Sequence, residues 1–388
     1  MKICKKLIII LTIVMFIAQF FIVKPVSANV LEENIFEQIE ALDLSELEKF
    51  YEDLLLDDSI KNISIKEKIL TLLSGKYDTS SELVYNIIIS NTTNTIKNYL
   101  PLILSIIALA LLCSTINNVK SNLLGENVSS IVNFVCSITI IVLLANEIIG
   151  LYIESKNIIE NIAKLNEIMS PIILTLMVAT GSNVSASVYT PQTMLLSTII
   201  LNVFLKIILP LVICLTILNV VNEISSGVKL NSFIEFISGT IKWIIGIALT
   251  IFAIFITTQG LTSASFDGVS IKALKYAISN SIPIVGGFLK DGFDIVLAGS
   301  VLIKNALGVV SVFIMLGFII SPVIKIIIFS LLLKFATAII EIFSPNNYVN
   351  YIKTTSKSLT YFNICSLSCS FMFFLNVLLI ILTANSFL

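Results

Sequence analysis

Residues 168–205 read IMSPIILTLMVATGSNVSASVYTPQTMLLSTIILNVFL, thirty-eight positions without one charged side chain. A membrane-spanning helix needs about 20 apolar residues to cross a hydrocarbon core of ~30 Å, so this run predicts membrane helices. A polar segment interrupts it, and the positions we single out there are Thr180, Gly181, Ser182, Thr190 and Pro191. Residues 168–179 are too short to span. They form either a re-entrant or broken helix, or a short helix before an ordinary polar loop, and we favour the loop.

The composition of the whole chain extends this prediction. Of its 388 residues, 56% are hydrophobic and 13% are charged, and the mean hydropathy is +1.00. A globular domain carries about 25% charged residues, so an ordinary soluble protein is excluded. We predict an all-α, polytopic helical membrane protein with about six to eight spans.

The sequence offers few groups for catalysis. Histidine and arginine are both absent, which removes the usual imidazole base and guanidinium clamp. No phosphate-binding glycine loop and no Cys-x-x-Cys pair occurs. The five cysteines after residue 28 lie in or beside apolar runs, where a thiol packs as a small hydrophobe. We therefore predict a protein that is not an enzyme, with no catalytic residue, metal or cofactor.

Length and charge divide the membrane part into spans. Apolar stretches predict crossings at 100–116, 131–152, 194–221, 234–256, 306–343 and 365–384, with 306–343 forming either two short crossings or one helix kinked near Ser321-Pro322. Residues 262–304 mix apolar pieces with glycines and charges, which indicates an interfacial or interrupted segment. The loop 344–363 contains Lys353 and Lys357 and no acid, so the positive-inside rule places it in the cytoplasm and the C-terminus outside.

The N-terminal part precedes this domain, which covers residues 99–388. Lysines, an apolar stretch and small residues predict a signal peptide over residues 1–28, cleaved between Ala28 and Asn29. An uncleaved anchor is the alternative, and both place Asn29 outside the cytoplasm. Residues 29–98 are acidic and predict short extracytoplasmic helices, with capping boxes at Ser45 and Ser64. Their apolar faces either pack together or dock on a partner.

Polar side chains inside the spans are the candidate functional positions, because a lysine at the centre of a membrane helix costs about 2.5–3.5 kcal/mol. They are Lys206, Asn202, Glu147, Lys242 and Lys334. Snorkelling of the side chain toward the membrane surface accounts for Lys242 and Lys325. For Lys206, one turn after Asn202, two alternatives are equally open: snorkelling, or facing the bundle interior or a polar path with a carboxylate of another helix as its partner.

Short motifs occur at 178–181, 259–260, 267–269, 275–276, 281–287, 302–308 and 321–325, and those within 259–308 are not generic membrane composition. With the order of signal peptide, acidic segment and polytopic domain, they resemble the stage III sporulation protein AE family of endospore-forming bacteria. The resemblance implies a multi-pass subunit of the mother-cell membrane around the forespore, with its N-terminal segment in the intermembrane space. The subunit would belong to a secretion-like channel, or feeding tube, that supports late forespore gene expression.

The resemblance also implies partners. These are other membrane proteins of the channel complex, including a secretion-type ATPase and ring-forming subunits, and forespore protein Q on the opposite side, besides the lipid bilayer itself. No nucleic-acid partner is expected. The alternative function is a stand-alone permease or secondary transporter for a small metabolite, since Lys206 and the polar segment 180–193 fit either function.

Overall fold

The computed structural model describes residues 29–54, 64–74, 81–120, 126–180, 182, 186–187, 190–224, 230–281, 286–343 and 347–385. The described helices are α1 (Asn29–Ala41), α2 (Ser45–Leu54), α3 (Ile65–Leu73), α4 (Ser81–Lys120), α5 (Glu126–Ala179), α6 (Thr190–Val203), α7 (Leu209–Ile224), α8 (Asn231–Ser281), α9 (Gly286–Phe343) and α10 (Asn347–Asn385), with a π-helical turn at Phe204–Ile208 between α6 and α7. No strand occurs among these residues, which confirms the all-α prediction. The predicted signal peptide, including Ala28, lies outside the described residues, and Asn29 begins α1.

Six helical stretches are long and apolar enough to cross a membrane, which confirms a polytopic membrane protein. They are Ile88–Ile116, Phe134–Ala179, Pro191–Asn222, Asn231–Gln259, Ile295–Phe343 and Val349–Ile381. Six spans among the described residues is the lower limit of the six to eight that the sequence predicts.

Several helices continue where the sequence predicted an end. Residues 168–179 are not a separate short piece but the last turns of α5, which is 54 residues long. The charged stretch 154–167 does not end that helix, because it contains no glycine or proline and many good helix formers. Likewise α9 passes through Pro322 without a break, since neighbouring helices and side chains can satisfy the backbone groups that a proline frees.

The prediction of a loop over 344–363 is wrong for most of that range. Helix α10 begins at Asn347, so Lys353 and Lys357 are helical. Polar residues stay in this helix because their hydroxyls bond to its own carbonyls: Thr354 donates to Asn350 O at 2.9 Å and Ser358 to Thr354 O at 3.2 Å. In the segment predicted to be interrupted, α8 is helical to Ser281 and α9 begins again at Gly286.

Helix α10 lies at the centre of the bundle and packs against α5, α7, α8 and α9. It runs antiparallel to α9, because Ser330 Oγ donates to Ser356 O at 3.1 Å near one end while Lys304 Nζ donates to Ile380 O at 2.8 Å near the other. It runs parallel to α5: the rings of Tyr152 and Phe362 lie 6.2 Å apart, and Asn376 Nδ2 donates to Asn166 Oδ1 at 2.9 Å, fourteen residues further along both helices.

The remaining membrane helices complete an up-and-down arrangement. Helix α4 is parallel to α9, since Tyr99 packs on Phe329 at 4.5 Å between ring centroids and Ser114 Oγ donates to Phe343 O at 3.0 Å. Helices α7 and α8 form a hairpin closed by a hydrogen bond of 3.0 Å from Asn222 to Asn231. These contacts fix which residues of different helices lie at the same height along the bundle.

The N-terminal helices α1 to α3 pack on this bundle, which resolves the alternatives left open for their apolar faces. Gln38 accepts a hydrogen bond of 2.8 Å from Ser300, and the ring of Phe50 meets Phe318 edge-on at 6.5 Å, so the helices lie along α9. Their buried apolar residues, Ile35, Ile39, Leu44, Leu47, Ile65 and Ile69, belong to the common core. The acidic faces of the helices therefore point outward.

Ser64 caps α3, as the sequence predicts. Ser64 Oγ accepts from the backbone N–H of Glu67 at 3.1 Å. At the start of α2, however, Ser45 does not cap. The carboxylate of Asp43 accepts from both the backbone N–H and the hydroxyl of Ser45, at 3.1 and 2.6 Å. These hydrogen bonds hold the pKa of the Asp43 carboxyl below its ordinary value.

Candidate functional site: polar groups in the membrane bundle

Lys206 lies on the surface of the bundle. It belongs to the π-helical turn, and its side chain is exposed. Asn202 does not assist it, because Asn202 Nδ2 donates to the Thr198 carbonyl of its own helix at 2.9 Å. Among the described residues no carboxylate pairs with Lys206.

The other predicted positions are not brought together either. Lys242 on α8 and Lys334 on α9 are exposed. Glu147 is half-buried on α5 and accepts a hydrogen bond from the hydroxyl of Tyr99 on α4. The five candidates therefore do not form one site.

The polar segment after α5 is partly buried in the bundle. Thr180 and Ser182 are buried, and Thr180 Oγ1 donates to Met177 O at 2.8 Å while its backbone N–H donates to Leu176 O at 2.9 Å. Thr190 and Pro191 form the first turn of α6. Gly181 lies outside the described residues.

Lys304 on α9 is the most deeply buried charged group that the structure describes, and sequence reasoning missed it. Its side chain has no exposed surface, and its ammonium donates to the carbonyls of Ile380 and Ile381 near the C-terminal end of α10, at 2.8 and 3.4 Å. The negative end of a helix dipole favours a cation there. A signal existed, because Lys304 is the single charged residue in the sequence from 295 to 324.

A second missed group joins three helices. Glu154 of α5 forms an ion pair with Lys325 of α9, and Tyr99 of α4 lies near both Glu154 and Glu147. The sequence interpretation assigned Lys325 to snorkelling and did not consider Glu154. The pairing arises from the antiparallel register of α5 and α9, which no local sequence signal fixes.

A buried amide pair forms the third polar contact. Asn166 and Asn376 are hydrogen-bonded in the core, and two cavities of about 10 and 20 Å³ lie beside them. Ser197 lines the smaller cavity, and its buried hydroxyl has no partner among the described residues. A cavity of about 10–15 Å³ holds one water molecule, so these spaces suit water molecules and not a metabolite.

The five described cysteines fall into three groups, and the first is Cys214 on α7, which is exposed and not packed in the core as predicted. Cys365 and Cys369 are buried in the core, as the packing interpretation predicted. Cys113 and Cys136 instead form a disulfide between α4 and α5, across a Cα–Cα distance of 6.6 Å. The packing interpretation was wrong for this pair because the cysteines are distant in sequence and meet only through the hairpin.

Comparison with known proteins gives these contacts a context. The model of the stage III sporulation protein AE family matches residues 63–384, which is most of the chain. The chain belongs to this family. It is similar to the stage III sporulation protein AE of Bacillus subtilis (strain 168), with 25% identity over 281 residues, 72% of this chain and 70% of that relative. No solved structure matches the chain.

The family assignment confirms the resemblance drawn from the motifs. It identifies the chain as a multi-pass membrane protein of a sporulation family. Lys304, Asn305 and Gly308 of motif 302–308 lie in the interior or half-buried on α9. The motif 302–308 therefore lies in the part of α9 that packs against α10.

Proposed function

We propose that this chain is a multi-pass subunit of a secretion-like channel that links mother cell and forespore and is needed for late forespore gene expression. The observation that carries the proposal is the family match over residues 63–384. The protein would lie in the mother-cell membrane around the forespore, with α1 to α3 in the intermembrane space. Its partners would be other membrane proteins of the complex, including a secretion-type ATPase and ring-forming subunits, and forespore protein Q.

Two features of the molecule support a structural role over a stand-alone permease. Two cavities beside Asn166 and Asn376 in the described core have volumes of about 10 and 20 Å³, which is too small for a metabolite. Two buried polar contacts join different helices: Lys304 donates to Ile380 O, and Asn376 donates to Asn166. Such contacts hold membrane helices together. We also propose that the chain has no enzymatic activity.

The test is affinity purification of the tagged chain from sporulating cells, with a tagged polytopic membrane protein of another function as the control. We expect co-isolation of the secretion-type ATPase and the ring-forming proteins with this chain alone. Deletion of the gene should lower spore yield and late forespore gene expression together. Purification of the chain as a lone monomer, or normal late expression without it, would contradict the proposal and favour the permease.

A further inference from the structure

Lys206 is the single charged residue in a long part of the sequence, because no other position from 168 to 222 carries a charge. It lies in the apolar stretch Pro191–Asn222, which is 32 residues long and consists of α6, the π-helical turn and α7. A membrane crossing takes about 20 residues, and every run of that length within this stretch contains Lys206. The lysine therefore belongs to the part of the helix that crosses the bilayer.

Lys206 continues a line of polar side chains on the outer surface of the bundle. Thr198 and Lys206 are exposed, Asn202 is half-buried, and the three follow one another at intervals of four residues. Side chains four residues apart lie on the same face of a helix. We call Thr198, Asn202 and Lys206 the polar stripe. The exposed large side chains beside it are apolar, namely Leu195, Ile199 and Ile207.

The helix is wider than an α-helix at the end of the polar stripe. The backbone N–H of Leu209 donates to Phe204 O, five residues earlier, in the π-helical turn that contains Lys206. Pro210 gives a reason in the sequence, because a proline has no N–H to donate to the carbonyl four residues before it, which is that of Lys206. Single π-helical turns within α-helices occur frequently at functional sites.

The environment of Lys206 is unusual for a membrane protein. An ionisable side chain inside a bilayer almost always faces a bundle interior or a water-filled cavity, and it pairs with another group. Lys206 is exposed, and the ion pairs of the described residues do not include it. Two acids within the spans are already engaged, since Glu154 pairs with Lys325 and Glu147 accepts from Tyr99. The general pattern is restored if the polar stripe lies inside a larger assembly whose other member supplies a carboxylate.

We propose that a membrane helix of another subunit covers the polar stripe, and that this helix carries an aspartate or glutamate level with Lys206. The inference rests on the proposed function, because it requires an assembly, and it adds the chemistry of one partner. Charge complementarity carries it: the stretch Pro191–Asn222 contributes a cation and no acid. A buried charge of this kind is stabilised by an opposite charge at close range, and polar side chains join membrane helices.

A second copy of this chain is a poorer occupant. Two copies related by a two-fold axis bring the same surface patch of each together, so Lys206 would face Lys206 without an acid between them. A lipid phosphate is a poorer occupant as well. It would meet the ammonium at the membrane surface and leave Asn202 in hydrocarbon, whereas a helix contacts the whole polar stripe.

The test uses the purified full-length chain in phosphatidylcholine vesicles and a leucine-rich peptide that spans the membrane with one aspartate at its centre. The control peptide has an asparagine there, which has nearly the same shape and no charge. Trp243, the single tryptophan of the sequence, is the fluorescence donor, and the peptide carries a dansyl acceptor. The contact of Asn222 with Asn231 closes the hairpin of α7 and α8, which places Trp243 within about one turn of the height of Lys206.

We expect the dissociation constant of the aspartate peptide to be about threefold to thirtyfold lower than that of the asparagine peptide. Lys206→Leu should remove this difference, and Lys206→Arg, which keeps the charge, should retain it. Lys334→Leu is the matched control, because it removes an exposed lysine from α9, and it should also retain the difference. Equal affinities of the two peptides for the unaltered chain, or a difference that persists in Lys206→Leu, would overturn the proposal.

The size of the chain in detergent, measured by sedimentation, separates the partner helix from a second copy. We expect monomers for the unaltered chain and for Lys206→Leu. A dimer of the unaltered chain that Lys206→Leu dissociates would assign the polar stripe to a second copy and refute the proposal. The vesicles contain no other sporulation protein. Equal peptide affinities together with normal co-isolation of channel subunits would therefore refute this inference alone, and charge-selective binding without co-isolation would contradict only the proposed function.

Discussion

Gly308 offers a quantitative test of the packing between α9 and α10. A Cβ atom at this position would lie 3.0 Å from Cδ1 and Cγ1 of Ile381 and 3.3 Å from Cγ1 of Val377. Gly308→Ala therefore requires the Ile381 and Val377 side chains to shift by a few tenths of an ångström, and we expect this overpacking to cost about 1–3 kcal/mol. Against this stands a gain in helix propensity of about 0.5–1 kcal/mol.

Gly317 on the same helix is the matched control, because a Cβ there meets no atom within 4 Å. Gly317→Ala should gain the propensity alone. Both variants gain the same helix propensity, so the difference between them reports the overpacking alone. We therefore expect Gly308→Ala to be less stable than Gly317→Ala by about 1–3 kcal/mol.

The assay is unfolding of the purified full-length variants in a mild detergent, followed by far-UV circular dichroism under identical conditions. Gly308→Val adds two more carbon atoms toward Ile381 and should lower the stability further than Gly308→Ala does. If Gly308→Ala proves as stable as Gly317→Ala, Ile381 does not pack closely against Gly308 and the contact between α9 and α10 is looser than the structure shows.

Three further predictions concern charged groups. Lys304→Met keeps the side-chain length and removes a buried cation, so the stability of the protein in detergent should be unchanged or higher. Lys304→Ala leaves a cavity and should cost about 2–5 kcal/mol. If both variants lose the same stability, the carbonyls of α10 require the ammonium. Lys325→Glu should lower the amount of protein in the membrane, and the double variant Glu154→Lys with Lys325→Glu should restore it. As a control, Lys156→Ala breaks an exposed ion pair worth about 0–1 kcal/mol and should have little effect. If immunoblots of the double variant show no recovery, the pairing of Glu154 with Lys325 is contradicted. Burial lowers the pKa of Lys68, on α3 outside the spans, from 10.5 to about 8. The unfolded state therefore holds this proton more strongly, and the resistance of α1 to α3 to proteolysis should increase as the pH rises from about 8 toward 10.5. If this increase with pH persists in Lys68→Met, another group causes it.

The candidate site shows where sequence reasoning fails. Lys206 was singled out because it lies in the middle of a long apolar run, but position within one helix does not give its depth in the bundle. Lys304 was overlooked although it interrupts an equally long run. A lysine that is buried and one that is exposed have the same local sequence signal, and their environments differ only through the neighbouring helices.

The sequence by itself determined that the chain is an all-α membrane protein of the stage III sporulation protein AE family. Apolar content and run length decide whether a segment enters a bilayer, and both are local properties. Only the tertiary structure decided which polar groups meet, because Glu154 reaches Lys325 and Asn166 reaches Asn376 across large sequence separations. The hydrophobic effect places helices in lipid but does not set their relative register. That register depends on close contacts such as Gly308 against Ile381, which form only when α9 and α10 pack together.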